Sequence, residues 1–426
     1  MWRLSEPYAP VLVFRYSLRN AIEDFALNLD ARTIRYLNGA MTVVRSLSLG
    51  ETAEQWERQP ADHAQLTQDG TTLAVLRQRG AGRGVRLLAT RDGAVLPGPE
   101  GKPCDAEVPD ESEDESEFMS TCVDVMAFSG DGRYFAYGRS WSDAVDDVTK
   151  QPRITVWDVR ARQEHAVIEP PGGRGLWGVQ SVALTHDGAS LLTFRTSEGK
   201  AVDVWDVHRR KRVRTVDQGA DSWTFNSYVQ RLAVRRNGDT VVTPDGVIAD
   251  LSTGVVSDRN LGDDLTEELV FSPDGANLAA ADLLGSVTLW DGAVRRRLGQ
   301  LPGTDDYAYS DSSGLGSHVG NVTALAFSAD GSTLAVGDPL GRVQLWDVPS
   351  SRPLGSPLST SGGPVLSLAF GTDGGTLHVA GRHVPLQKYD LTPSHLVGQA
   401  CKRAGGGLSA ADWKTYLPDL PYRETC

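Results

Sequence analysis

The sequence predicts an all-β protein, a β-propeller of seven or eight four-stranded antiparallel blades followed by a short helical C-terminal tail. Two observations predict this fold. An Asp-Gly or Asn-Gly turn recurs seven times, and five of the stretches after a turn end in an aromatic-Asp pair. Such a repeat indicates a supersecondary element that cannot bury its apolar face alone and stacks on its neighbours. The turns lie at Asp69-Gly70, Asp131-Gly132, Asp187-Gly188, Asn237-Gly238, Asp274-Gly275, Asp330-Gly331 and Asp373-Gly374. The pairs lie at Trp157-Asp158, Trp205-Asp206, Trp290-Asp291, Trp346-Asp347 and Tyr389-Asp390.

The clearest unit spans residues 318–356. Small and apolar residues alternate over 322–328, which predicts a strand buried on both faces. Asp330-Gly331 then forms a hairpin turn, because Gly tolerates a positive φ. Two further strands and a more polar fourth complete the unit, whose inner strand would line the central channel of a propeller. The same layout fits residues 265–300, 179–216, 123–168 and 364–391, and in degenerate form 228–256 and 64–90.

The number of blades stays open at this point. A weaker unit at residues 25–50 has strands of suitable length and spacing. The ring therefore closes either with eight blades, or with seven and an N-terminal segment that supplies an outer strand to the last blade. On this basis the chain divides into a lead segment, 1–19, a propeller, 20–391, and a C-terminal helical extension, 392–426.

Two repeats, FSPDGANLAAADLLGSVTLWD and FSADGSTLAVGDPLGRVQLWD, resemble the WD-repeat family. The resemblance covers about residues 20–396 and implies a propeller that serves as a platform for protein interactions. In that family an Asp before the third strand joins a buried His–Ser/Thr–Trp hydrogen-bond network. Here the Asp position is Leu284 or Leu340 and the Ser position is Ala280 or Val336. We therefore expect apolar packing to replace the polar network. The repeat aromatics are expected to pack structurally within the blades: Trp157, Trp205, Trp290, Trp346 and Tyr389.

The predicted function is that of a non-catalytic interaction scaffold or sensor module in a bacterial signalling or regulatory system. Loops held by a rigid ring are the usual place for binding residues. The candidate protein-contact rim consists of Asp282, Leu283, Leu284, Asp338, Pro339 and Leu340, with the insertions at 100–120 and 140–152 beside it.

The alternative function is a propeller enzyme or small-ligand receptor that uses the central channel. It requires inward-facing carboxylates or His from several first strands. Three of those strands, VTALAFS, VQSVALT and LSLAFG, offer mostly small apolar and hydroxyl side chains. No phosphate-binding loop or metal-ligand spacing is recognisable, so no cofactor and no catalytic or metal site is expected. A further reading is the sensor half of a larger signalling protein whose effector domain is separate.

Charge and hydropathy limit the partners. The net charge of −13 argues against broad binding to nucleic acid or to an anionic membrane. Eight acids and no base lie within 105–117, which predicts a solvated loop. Basic runs at 208–215 and 294–298 fall on outer strands, where charge blocks edge-to-edge aggregation. No apolar run approaches the roughly 20 residues that span a bilayer, and the start is unlike a signal peptide. We expect a cytoplasmic protein with a protein partner, monomeric or part of a larger multidomain assembly.

The tail predicts two helices. Thr392 caps the first, which has Pro393 at its first position and runs to about Ala404, and Ser409 with Asp412 resembles a capping box for the second. The run from 400 to 426 resembles a C-terminal extension of actinobacterial WD-repeat proteins. Cys401 and Cys426 bracket it and form a candidate disulfide, with reduced thiols as the alternative in a cytosolic protein.

Overall fold

The structure is a computed structural model. It describes residues 2–3, 11–12, 22–28, 33–38, 43–48, 61–77, 84–100, 121–142, 152–170, 178–195, 199–219, 231–261, 266–282, 285–301, 322–360, 363–404 and 407–424.

Two small antiparallel sheets come first in the chain. The first pairs β1 (Trp2–Arg3) with β2 (Val11–Leu12). The second contains β3 (Ile22–Asn28), β4 (Thr33–Asn38) and β5 (Val43–Ser48), and these strands pair only with one another among the described residues. The weaker sequence unit at 25–50 thus forms a sheet of its own.

Seven antiparallel sheets follow and form the predicted propeller, which has seven blades. Strands that are consecutive in sequence are neighbours in every sheet, except that the fourth and fifth strands of blade 6 both pair with the third. Blade 1 contains β6 (His63–Leu66), β7 (Thr72–Arg77), β8 (Gly84–Ala89) and β9 (Val95–Leu96). Blade 2 contains β10 (Thr121–Phe128), β11 (Tyr134–Ser142), β12 (Arg153–Asp158) and β13 (Gln163–Ile168). Blade 3 contains β14 (Val179–Leu184), β15 (Ser190–Arg195), β16 (Ala201–Asp206) and β17 (Lys211–Asp217).

Blades 4 and 5 follow the same plan, whereas blade 6 has five strands and blade 7 has three described strands. Blade 4 contains β18 (Ala233–Val234), β19 (Thr240–Val242), β20 (Val247–Asp250) and β21 (Val256–Asn260). Blade 5 contains β22 (Thr266–Phe271), β23 (Asn277–Asp282), β24 (Val287–Asp291) and β25 (Arg297–Leu301). Blade 6 contains β26 (Ala324–Phe327), β27 (Thr333–Gly337), β28 (Arg342–Asp347), β29 (Arg352–Pro353) and β30 (Leu358–Ser359), the last two both pairing with β28. Blade 7 contains β31 (Val365–Phe370), β32 (Thr376–Gly381) and β33 (Gln387–Asp390).

The ring closes directly between blade 7 and blade 1. The Ala61 N–H donates to the Arg382 carbonyl at 2.8 Å, and the Leu66 N–H donates to Ser367 Oγ at 3.0 Å. One apolar cluster contains residues of both blades, among them Leu73 and Ala380. The count is therefore seven, and the sheet at 22–48 does not enter the ring between its first and last blades.

Each interface between neighbouring blades contains an apolar cluster, and the described residues form seven such clusters. Phe135 and Phe194 are among their fully buried side chains. Burial of one such side chain stabilises a protein by about 1.5–3 kcal/mol. The ring is therefore held by side chains that lie between the sheets.

Five of the seven turns are fixed by a hydroxyl two residues before the Asp. In blade 2, Ser129 Oγ donates to Asp131 Oδ1 at 2.6 Å and accepts from the Tyr134 N–H at 2.9 Å. Asp131 Oδ1 also accepts from the Arg133 N–H at 3.0 Å. The same arrangement recurs at Thr67–Asp69, Thr185–Asp187, Ser272–Asp274 and Ser328–Asp330. The recurring sequence unit is thus Ser/Thr-x-Asp-Gly.

The turn glycines also touch the preceding blade. A Cβ on Gly188 in blade 3 would lie 2.2 Å from Tyr134 Cδ2 in blade 2. A Cβ on Gly70 would lie 2.9 Å from His378 Nδ1, and looser contacts of 3.3–3.6 Å join Gly132 to Thr67, Gly238 to Thr185, Gly275 to Arg235 and Gly331 to Ser272. In six of the seven blades, the turn that ends the first strand is therefore part of the contact between two blades.

The aromatic-Asp pairs end the third strands and hold a second turn. Asp158 Oδ1 accepts from the N–H groups of Arg160 and Ala161, at 3.0 and 2.8 Å. The chain then returns to the Asp-Gly turn of the same blade, where the Val159 N–H donates to the Arg133 carbonyl at 2.8 Å. Equivalent backbone bonds join Val207 to Ala189, Val348 to Ser332 and Leu391 to Gly375. The two recurring sequence features thus lie side by side at one end of the blades that carry both.

The tail contains the two predicted helices, α1 (Pro393–Ala404) and α2 (Ala410–Tyr416). Ser409 caps α2, with its Oγ accepting from the Asp412 N–H at 3.1 Å. Trp413 is buried, and its Nε1–H donates to the Leu420 carbonyl at 3.0 Å. The second helix is thus fixed by the segment that follows it.

A matched pair of substitutions tests the contact between turn and blade. Gly188 and Gly374 have φ of 69° and 67°, so Ala at either position carries a left-handed penalty of about 1–2 kcal/mol. Only Gly188→Ala meets a neighbouring ring, because nothing lies within 4 Å of a Cβ on Gly374. Urea unfolding should show Gly188→Ala to be less stable than Gly374→Ala by a further ~1–3 kcal/mol from overpacking. Equal losses would contradict the contact.

Candidate functional site

The strand order of the blades gives the ring two distinct faces. The first strand of each blade begins at the face that also carries the turn between the second and third strands. We call this the proximal face. The opposite, distal face carries the Asp-Gly and aromatic-Asp turns. The predicted contact rim (Asp282, Leu283, Leu284, Asp338, Pro339 and Leu340) falls on the proximal face, where the described members Asp282 and Asp338 begin the turns that end β23 and β27. Leu283 and Leu284 lie outside the described residues.

The rim turn of blade 6 is held by Asp338. Its Oδ1 accepts from the N–H groups of Leu340 and Arg342, at 2.9 and 2.8 Å. Its Oδ2 accepts from Arg342 Nε at 2.6 Å. Pro339 and Leu340 are half-buried. Leu340 is therefore held at the rim by a carboxylate two residues earlier.

Carboxylates fix neighbouring rim turns as well. In blade 5 Asp282 Oδ1 accepts from the Ser286 N–H at 2.9 Å. In blade 4 Asp245 Oδ2 accepts from Lys200 Nζ of blade 3 at 2.8 Å, with both side chains nearly buried. The acid that holds each of these turns lies at a different position from the one that the family resemblance implied.

The repeat aromatics lie in or against the clusters between blades. Trp205 and Trp346 are buried, whereas Trp157, Trp290 and Tyr389 pack against the clusters from partly buried positions. Trp205 Nε1 donates to Thr193 Oγ1 at 3.1 Å, so part of the family's polar network is present in blade 3. In blade 5 the equivalent position is Ala280, and the buried Trp290 Nε1 has no hydrogen-bond partner among the described residues. Apolar replacement of the network is thus correct for blade 5 and wrong for blade 3.

A central cavity of about 590 Å³ follows the channel of the ring. Residues from the first strand of every blade line it. Apolar side chains such as Met126, Phe128 and Val270 form much of the wall, and polar groups lie at both ends, with Gln68, His186 and Arg236 at the distal end. The cavity therefore has an apolar body between two polar ends, and we call its proximal end the mouth.

The polar groups at the mouth occupy one level of the ring. His63, Arg231 and Glu268 each stand six residues before the Asp or Asn of their own turn, at positions 69, 237 and 274. Ser181 and Ser367 occupy this position in blades 3 and 7. Their hydroxyl oxygens accept backbone N–H bonds from the next blade, from Leu232 and Leu66 at 3.2 and 3.0 Å. The side chains at this position therefore connect neighbouring blades and also line the mouth.

Arg231 reaches across the channel. Its Nη2 donates to the carbonyl of Leu366 in blade 7 at 3.2 Å, although Arg231 itself precedes the first strand of blade 4. Its Nε lies 3.6 Å from Glu268 Oε1 in blade 5. One guanidinium therefore connects three blades at the mouth of the cavity.

The titratable groups around Arg231 have shifted pKa values. Burial raises the pKa of Glu268 to about 7, and the Arg231 charge offsets only part of that rise. Burial lowers the pKa of His63, although the nearby carboxylates of Asp124 and Asp62 oppose the shift. Burial and the adjacent Asp124 carboxylate raise the pKa of Tyr137, whose hydroxyl donates to Asp124 Oδ1 at 3.0 Å. Perturbed acids and bases of this kind collect at functional sites.

The channel mouth carries charged and imidazole groups that the first strands of blades 3, 6 and 7 did not predict. Those three strands do carry small and hydroxyl residues. The charged and imidazole groups come instead from blades 1, 2, 4 and 5, as His63, Asp124, Arg231 and Glu268. Alignment of the seven first strands on the turns that follow them would have placed His63, Arg231 and Glu268 at the same position.

Other site predictions involve metals, membranes and cysteines. Within the described ranges, no group of three or more His, Cys, Asp or Glu side chains is placed to hold a metal ion. In the same part of the chain, no helix combines the length and the apolar character needed to cross a bilayer. Cys401 takes part in a disulfide. The side chain of Cys426 lies outside the described residues, so the pairing of these two cysteines stays a prediction.

Comparison with known proteins supports the propeller type. A family model described as "Nucleolar protein 10-like, N-terminal domain" matches residues 264–386. The match covers blades 5 and 6 and most of blade 7, which is less than half of the chain. Together with the seven blades, it supports a WD-repeat-type propeller. A search of curated proteins found no match.

Replacement of Glu268 tests its burial. A carboxyl whose folded pKa is raised to about 7 contributes stability that is fully present below its ordinary pKa near 4.5 and is lost as the pH rises through 7. We expect Glu268→Gln to match the wild type near pH 5 and to be more stable by about 2–4 kcal/mol near pH 8 in urea unfolding. Glu164→Gln, which alters an exposed carboxylate on β13, should show no such pH-dependent difference. A pH-independent effect of Glu268→Gln would contradict the assignment.

Proposed function

We propose that this protein is a non-catalytic scaffold or sensor module that binds a protein partner through the proximal face of its propeller. The observation that carries the proposal is the rim turn of blade 6, where three hydrogen bonds to Asp338 hold Leu340 in place. A binding surface on a preorganised turn avoids much of the entropy cost of ordering a loop on association.

The rim has the chemistry of a protein contact. Pro339 and Leu340 offer apolar surface beside the charged pair of Asp338 and Arg342. Interfaces between proteins commonly combine an apolar centre with a polar border. The rim turns of blades 4 and 5 lie on the same face and are likewise fixed by carboxylates.

We infer a bacterial signalling or regulatory system, supported by the resemblance of the tail to extensions on actinobacterial WD-repeat proteins. The propeller is proposed to act as a monomer or as one part of a larger assembly, with neither nucleic acid nor a membrane as its partner.

A pair of substitutions in one blade tests the binding face. Leu340→Glu adds a charge to the proximal rim, whereas Ala329→Glu adds the same charge to the exposed distal turn of blade 6. In affinity capture from native lysate with mass spectrometry, we expect partners retained by the wild type and by Ala329→Glu to be reduced about tenfold or more with Leu340→Glu. Thermal unfolding of both variants serves as the folding control. Equal capture by the two folded variants would contradict the proposal.

The location proposed from the sequence is the cytoplasm. The disulfide at Cys401 makes the redox state of the tail a direct test, because cytosolic proteins normally keep their thiols reduced. Cell fractionation with alkylation of free thiols at lysis measures both properties. Recovery in the cytosol supports the proposal, and recovery outside it with Cys401 oxidised would replace the cytoplasm with an oxidising compartment.

A further inference from the structure

The central cavity has the size and construction of a small-molecule site. Its volume of about 590 Å³ lies within the range of roughly 300–1,000 Å³ that such sites occupy. Its walls are strands of all seven blades, which a ligand need not rearrange in order to bind. Met126, Phe128, Val270 and Leu366 line it as partly buried apolar side chains that can contact an apolar body.

Arg231 has hydrogen-bonding capacity that the fold does not use. A guanidinium carries five N–H donors. Among the described residues, Arg231 donates one hydrogen bond, to the Leu366 carbonyl, and makes one ion pair, with Glu268 at 3.6 Å. Its side chain is 29% exposed and lines the cavity. Donors therefore remain for a ligand at the polar mouth.

Glu268 is a buried carboxyl without a hydrogen bond in the described part of the chain. Its side chain is 10% exposed and lines the same cavity, and its contact with Arg231 is longer than a hydrogen bond. In its protonated form it can donate an O–H to an acceptor. A guanidinium and a carboxylic acid at one site can together donate to both oxygens of a carboxylate.

We propose that the central channel binds a small organic acid, with its carboxylate between Arg231 and Glu268 and its apolar body along the first strands. Asp124 already accepts the Tyr137 hydroxyl, and Asp62 adds a second negative charge near the mouth. These two acids disfavour a dianion, whereas Arg382 at the same mouth favours one negative charge. The preferred ligand is therefore a monocarboxylate.

The site gives binding a defined pH dependence. A bound carboxylate favours the protonated form of Glu268, so affinity should fall as the pH rises through about 7. Protonation of His63 at lower pH adds a positive charge near the ligand and acts in the same direction. The other charged groups at the mouth are Asp62, Asp124, Arg231 and Arg382. An amine would show the opposite trend, because it would bind best to the ionised carboxyl.

Three probes with one apolar body test the proposal: 2-naphthoate, 2-naphthylmethanol and 2-naphthylmethylamine. Calorimetric titration of the full chain at about pH 6 and about pH 8 should show naphthoate binding tightest, with affinity about tenfold or more weaker at the higher pH. Arg231→Gln should weaken naphthoate binding at about pH 6 by tenfold or more, since hydrogen bonds between charged groups are the strong ones. Arg236→Gln, which removes an exposed guanidinium that lines the distal end of the same cavity, is the matched control and should leave the affinity within about twofold.

Glu268→Gln provides an independent test, because an amide N–H replaces the titrating O–H. Naphthoate affinity should then agree within about twofold between the two pH values. The proposal is overturned if the alcohol or the amine binds as tightly as naphthoate, if no probe binds, or if Arg231→Gln and Arg236→Gln behave alike. It does not rest on the protein-binding role of the rim, and capture by Leu340→Glu and binding of naphthoate are separate measurements.

Discussion

The contact between the turn after a first strand and the preceding blade, which the turn glycines of six blades make, is the constraint on which the ring depends. In five blades a Ser or Thr hydroxyl and an Asp carboxylate fix the turn, as Ser129 and Asp131 do in blade 2. The glycine then lets the backbone approach a side chain of the neighbouring blade more closely than a Cβ would permit, as Gly188 approaches Tyr134. Because the same turn receives the chain after the third strand, one structural unit sets both the register within a blade and the spacing between blades.

The parts of the fold that were predicted correctly are those that depend on interactions between residues close together in the chain. The turns, the pattern of strands and the two tail helices depend on residues close together in the chain, such as Ser409 and Asp412, and were predicted correctly. Closure between Ala61 and Arg382 joins residues at opposite ends of the ring, and no local pattern encodes that pairing. The number of blades therefore stayed open until the structure placed blade 7 against blade 1.

The candidate sites could likewise be predicted from the sequence only in part. The position of the rim could be predicted, because hairpin turns fall on known faces of a blade. Its anchoring by Asp338 could not, because a family resemblance drew attention to Leu340, where the expected acid is absent. The level of Arg231 and Glu268 was missed for another reason. A single charged residue on one first strand does not indicate a site. The site is recognised only when the first strands of several blades, which are distant in sequence, are compared at the same position along the channel.

Closure between blades 7 and 1 also bears on whether the contacts between blades require the observed order of the blades in the chain. The closing interface has an apolar cluster and a hydroxyl that accepts a backbone N–H from the next blade, and the interface between blades 3 and 4 has both features as well. The contacts between blades 7 and 1, which are not consecutive in the chain, are therefore of the same kind as those between the consecutive blades 3 and 4. A circular permutant that joins residues 61 and 390 through a linker and opens between blades 3 and 4 would keep the same set of interfaces. In this architecture the order of blades in the gene and the order of contacts in space are separable properties.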